Sequence, residues 1–202
     1  AVTLLYLFLL VAYGAKVMRR PGVVVEDLRV LPGRAGLAAM SLSGMLMALG
    51  LIALNETLAA VVLTLAVGLH AVLLLLVVRG LLTGPAEGRV VTPVWHLTFV
   101  GFIISPIAGV PLGWDLWSTV VFWVSLAIAA AIWGTSLSQF ARRDVPAPLR
   151  PLLAIHLAPA SVLGSVALLL GYHTLALGLG VLAILILVAL LARPRWLLAS
   201  GF

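Results

Sequence analysis

The sequence predicts an all-α integral membrane protein. Three observations carry that prediction: an apolar composition, seven long apolar stretches, and charge confined to alternate connections. Of 202 residues, 64% are hydrophobic and 9% charged, and mean hydropathy is +1.28. A soluble chain is about half apolar and about a quarter charged, and a soluble fold of this size lacks the interior to bury so much apolar surface. The absence of cysteine excludes disulfide staples, thiolate metal sites and iron–sulfur clusters. A net charge of +6 would suggest nucleic acid in a soluble chain; in a membrane chain the placement of the charges matters more, and no nucleic-acid partner is expected.

A helix needs about 20 apolar residues to cross about 30 Å of hydrocarbon. The stretches 1–15, 35–54, 58–78, 93–113, 116–139, 149–171 and 173–192 meet or approach that length. Strands are not expected, because alternating ten-residue segments with repeated turns are missing. The first stretch lacks the basic region that opens a signal peptide and reads as the second part of a helix. After Arg193, Pro194, Arg195 and Trp196 the chain reads as entering another helix. The expectation is therefore one transmembrane domain over 1–202, truncated at both ends.

Charge fixes the topology. All twelve Lys and Arg residues, from Lys16 to Arg195, fall in one set of connections, against four acidic residues (Glu26, Asp27, Glu87, Asp144), a balance of +8. The alternate turns hold only Glu56 and Asp115, a balance of −2. The positive-inside rule makes the basic side cytoplasmic. The turns on the other side are minimal (Asn55–Thr57, Trp114–Asp115, Tyr172–His173), so the spans pair as hairpins: 35–54 with 58–78, 93–113 with 116–139, 149–171 with 173–192.

The leading helix of each hairpin carries the small and hydroxyl residues. Ser41 and Gly44 lie on the first; Thr98, Gly101, Ser105 and Pro106 on the second; Pro159, Ser161, Gly164 and Ser165 on the third. At α-helical spacing Thr98, Gly101, Ser105 and Gly109 share one stripe. One reading makes these ten candidates the wall of a path around which the hairpins stand, with hydroxyls and kink-freed backbone groups replacing part of an ion's hydration shell. The other is ordinary packing, in which small residues let helices approach and hydroxyls bond their own backbone. The partners 58–78 and 173–192 are almost wholly Leu, Val, Ile and Ala, as expected of lipid-facing helices.

No Asp, Glu, Lys or Arg lies in the core of a complete span, which argues against an acid relay. His70 and His156 lie roughly 9–12 Å deep at 1.5 Å per residue, the placement a bis-histidine haem would use and also that of two unrelated hydrogen-bonded histidines. A haem-binding membrane oxidoreductase using His70 and His156 is thus the alternative function. His96 and His173 read as interfacial. With no nucleophile motif, phosphate loop or paired carboxylate, no enzyme activity, cofactor or metal is expected.

Several stretches carry a family likeness: Val25-Glu26-Asp27-Leu28-Arg29 through Pro32-Gly33-Arg34, Thr92-Pro93-Val94-Trp95, Leu112-Gly113-Trp114 and Leu157-Ala158-Pro159-Ala160. In order and spacing they resemble the tellurite-resistance/dicarboxylate transporter family, which includes the plant slow anion channels. The resemblance covers nearly all of the chain and maps it to about seven of ten helices, the second to the eighth. It implies hairpins around a central pore, homotrimers in a bacterial inner membrane, and passage of small anions (inorganic anions, tellurite or sulfite, C4-dicarboxylates). The family's pore phenylalanine belongs to a helix beyond Phe202, and Leu31 stands where a histidine often opens the proline motif. The expected function is an anion channel or passive anion transporter.

Overall fold

A computed structural model describes residues 2–85, 89–142, 144–192 and 194–198. Those residues are helical with short connections, and no strand occurs among them. Five helices are long and apolar enough to cross a membrane: Leu31–Ile52, Glu56–Thr83, Asp115–Phe140, Leu149–Leu169 and His173–Leu191. The chain divides into two compact units, 1–90 and 91–202.

Unit 1 contains α1 (Val2–Arg19), α2 (Val23–Arg29), α3 (Leu31–Ile52) and α4 (Glu56–Thr83). The stretch expected at 1–15 continues through Lys16 to Arg19, whose cations suit the negative end of a helix dipole. α3 begins four residues earlier than expected, with Pro32 in its first turn, where a missing N–H costs nothing. Between α3 and α4 the Asn55 side chain accepts from the Leu58 amide at 2.8 Å, a helix N-cap.

The α3–α4 hairpin is held by a seam of alternating three- and four-residue steps. α4 buries Ala59, Leu63, Ala66, His70, Leu73 and Val77, and α3 buries Ala38, Ser41, Met45 and Ala48. That spacing keeps one stripe facing a nearly antiparallel partner, and the alanines let the backbones approach. α4 is therefore not the bare lipid-facing helix expected of 58–78: it buries the same 28% of its apolar window as α3. Composition shows only that α4 is apolar, and a Leu in a seam reads like a Leu in lipid.

Unit 2 opens with a broken segment in place of the continuous helix expected at 93–113. A π-helical turn (His96–Val100) passes into a 3-10 turn (Gly101–Ile104) and then into α5 (Ser105–Gly109). The cause is local: Pro93, Pro106 and Pro111 each lack a backbone donor, and Gly101 and Gly109 weaken the helix between them. The long helix α6 (Asp115–Phe140) follows. A 3-10 stretch (Ala147–His156) containing Pro151 leads into α7 (Leu157–Leu169), then α8 (His173–Leu191) and α9 (Pro194–Leu198). Phe122 of α6, Leu163, Val166 and Ala167 of α7 and Leu179 of α8 form the core with Val100 and Ile103. α8 buries only 6% of its window, as expected of a lipid-facing helix, against 39% for the Leu149–Leu169 span.

Both turns of unit 2 are built alike. Gly113 (φ 75°) and Gly171 (φ 81°) adopt the left-handed conformation that glycine supplies. In each, the following aromatic donates its amide five residues back: Trp114 to the Gly109 carbonyl and Tyr172 to the Ala167 carbonyl, both at 2.8 Å. The glycine amides donate to Val110 (3.0 Å) and Leu168 (3.1 Å), which completes two Schellman caps. This shared turn is a structural repeat between hairpins whose sequences hardly match.

Candidate functional site

Of the ten candidate wall residues, those of the broken segment are consumed by its construction. Pro106 has no N–H for the Phe102 carbonyl four residues back, and Ser105 supplies the missing donors. Its backbone amide and its hydroxyl (2.8 Å) both donate to that carbonyl. The Ser105 oxygen in turn accepts from the Trp117 indole of α6 at 3.0 Å. Thr98, Gly101, Ser105 and Pro106 are all buried. At Gly109 a methyl group would stand 2.9 Å from the Ser118 hydroxyl, so glycine lets α5 close onto α6. The stripe expected of Thr98, Gly101, Ser105 and Gly109 assumed 100° per residue; three helix types in series do not keep that angle.

In unit 1, Ser41 is buried with its hydroxyl donating to the Ala38 carbonyl (2.8 Å) and 2.7 Å from His70 Nδ1. Gly44 allows a three-way approach, since a Cβ there would lie 2.9 Å from the Tyr6 hydroxyl and 3.1 Å from Ala66 Cβ. On α7, Pro159 is buried, while Gly164 faces α8, with Leu179 Cβ 3.5 Å from where its own would stand. Ser161 and Ser165 differ from the rest. Both are exposed, on one face of α7, and bond only their own helix, to Leu157 (3.1 Å) and Ser161 (3.0 Å). A hydroxyl hydrogen on such a bond can rotate to an incoming acceptor, because the carbonyl it leaves keeps its place in the helix.

The histidines are paired otherwise than expected. His70 meets Ser41, and His156 meets His96, Nε2 of His96 lying 3.0 Å from Nδ1 of His156 with the rings 5.1 Å apart and nearly perpendicular. His96 is 2% exposed, buried against His156 and Trp133. Trp133 flanks the pair, 5.5 Å from the His96 ring, and its indole donates to the His156 carbonyl at 3.3 Å. His156 Nε2 and Ser136 Oγ, buried and without a partner, border a cavity of about 480 Å³ beside Phe140, Leu182 and Trp196. Each histidine of the haem alternative is thus engaged with a side chain of its own unit, and no observation favours haem. Among the described residues no group of three His, Asp or Glu side chains stands together as a metal site.

A chain of apolar hairpins, one opened by a helix broken three ways, with hydroxyls and no Asp, Glu, Lys or Arg in its spanning cores, defines a polytopic helical membrane protein. The family model for voltage-dependent anion channels (SLAC1) matches residues 1–200, and the chain belongs to that family. It is accordingly a multi-pass membrane protein of an anion channel and transporter family, whose members are not enzymes. No curated protein matches it.

Proposed function

We propose that the chain forms the wall of a passive anion path, in a homotrimer of the bacterial inner membrane with its basic connections cytoplasmic. The permeant class is small inorganic anions, tellurite or sulfite, or C4-dicarboxylates. Ser161 and Ser165 present their hydroxyls to the ion. Thr98, Gly101, Ser105, Pro106 and Pro159 shape the breaks in the helices beside it, and Ser41, Gly44 and Gly164 set how closely the helices stand.

The observation that carries this reading is the broken segment His96–Gly109 in a family of anion channels. Irregular backbone at membrane depth is tolerated where protein buries it or where it lines a water-filled cavity. Partial positive charge from hydroxyls and unpaired N–H groups holds an anion weakly enough to release it, whereas a buried cation would trap it. The absence of carboxylates from the spanning cores fits passive flow. Anion efflux from liposomes carrying the full-length protein tests this: flux is expected without a proton gradient and reduced by Ser161→Ala with Ser165→Ala. Flux abolished by collapsing the gradient refutes the passive mechanism.

A further inference from the structure

At the end of unit 1 where α4 finishes, three arginines line one cavity of about 800 Å³: Arg29 from α2, Arg34 from α3 and Arg79 from α4. None has an acidic partner among the described residues. The nearby carboxylates are committed elsewhere, Glu26 to Arg20 and Asp27 to Lys16 (3.7 Å) and the Tyr13 hydroxyl (2.9 Å); Glu87 lies outside the described residues. The Arg34 Nε is buried and unpartnered.

Two further features prepare the cavity for negative charge. The C-terminus of α4, also in its wall, would repel an anion through its free carbonyls. Arg89 neutralises that end, its guanidinium donating to the carbonyls of Leu81 (2.8 Å), Leu82 (3.1 Å) and Gly84 (3.3 Å). The corner between α2 and α3 closes at Gly33, where any Cβ would overlap the Asp27 carbonyl, and it brings Arg29 and Arg34 to the wall of one cavity. The positive-inside rule accounts for arginines at this end of the helices, but not for their convergence on one cavity with no counter-ion among the described residues. Arg79 stands 23 residues beyond Glu56, about 35 Å along α4 at 1.5 Å per residue, a longer reach than about 30 Å of hydrocarbon.

We infer that this cavity is a binding site for a phosphate group, gripped by the guanidiniums of Arg29, Arg34 and Arg79. Guanidinium forks match the spacing of phosphate oxygens and bind them bidentately. The phosphate comes either from an anionic lipid headgroup or from a soluble phosphate compound. This site is separate from the proposed anion path, and its test involves no flux, so the two readings fail independently.

The test uses the purified full chain. Thermal stability is followed on titration with pyrophosphate at constant ionic strength, with chloride as the balancing salt. Retention of phosphatidic acid over phosphatidylcholine is read by native mass spectrometry after exchange into mixed nanodiscs. Saturable stabilisation by pyrophosphate with selective retention of phosphatidic acid supports the site for both sources. Retention alone assigns it to a lipid headgroup, and pyrophosphate binding alone to a soluble phosphate compound. Arg34→Gln is expected to weaken binding at least about ten-fold, since charge-assisted hydrogen bonds are lost. Arg34→Lys should weaken it less, and Arg142→Gln, an equal charge change in unit 2, not at all. Arg79→Gln, at an exposed helix end, carries the same expectation where Arg34→Gln fails to fold. Absence of both bindings, or binding that survives loss of all three arginines, overturns the inference.

Discussion

Replacing the two paired histidines, singly and together, isolates the feature of unit 2 that composition conceals. His96 and His156 are 2% and 7% exposed, their facing nitrogens 3.0 Å apart. One ring donates and the other accepts, and each outer nitrogen is already without a partner. Leucine is close in volume to histidine and asks for no hydrogen bond. His96→Leu leaves His156 Nδ1 buried and unpaired, and His156→Leu does the same to His96 Nε2. An orphaned buried polar atom costs about 1–3 kcal/mol, whereas removing both partners is nearly neutral. Each single variant should therefore lose about 1–3 kcal/mol, and the double variant clearly less than the sum, with a coupling of about 1–3 kcal/mol. Reversible unfolding in mixed micelles measures this, with the fluorescence of Trp133, 5.5 Å from His96, as a local reporter. The Trp133 bond survives in every variant because it goes to the His156 backbone. Costs that add to within about 0.5 kcal/mol would show that the rings are merely neighbours and would refute the paired description.

The matching turns predict matching costs: Gly113→Ala and Gly171→Ala should each destabilise by about 1–2 kcal/mol in the same micelle assay, since both need positive φ while a methyl meets nothing within 4 Å. Gly178→Ala, equally open but inside α8, should instead stabilise by about 0.5–1 kcal/mol. Gly44→Ala places a methyl 3.1 Å from Ala66 Cβ and is expected to cost about 1–3 kcal/mol, with a measurable loss of folded protein on detergent extraction. Asn55→Ala removes the cap on the Leu58 amide and should lower stability by about 1 kcal/mol, read as a drop in melting temperature.

Hairpins and short turns were legible in the sequence because each follows from a strong, additive preference: apolar length for hydrocarbon, glycine for a tight reversal. The shape of the 93–113 segment was not legible. Pro93, Pro106 and Pro111 announced breaks, but whether a break resolves as a π turn, a 3-10 turn or a kink depends on which neighbour supplies the missing donor, here the Ser105 hydroxyl and behind it Trp117. The His96–His156 pair was hidden because it joins residues 60 apart in sequence, one opening the π turn and the other closing the 3-10 stretch Ala147–His156.

The hydroxyls on view and the hydroxyls in use are therefore different residues. Ser41 and Ser105 spend their donors on Ala38 and Phe102, and their substitution should register first in stability. Ser161 and Ser165 spend theirs on an intact helix that loses little without them. Alanine at Ser105 is expected to cost about 1 kcal/mol of folding free energy, while alanine at Ser161 and Ser165 should leave the unfolding midpoint in place and alter anion flux alone. Should the flux of full-length protein in liposomes respond to Ser105 and ignore Ser161 and Ser165 at equal amounts of folded protein, the exposed face of α7 is not the surface an anion meets.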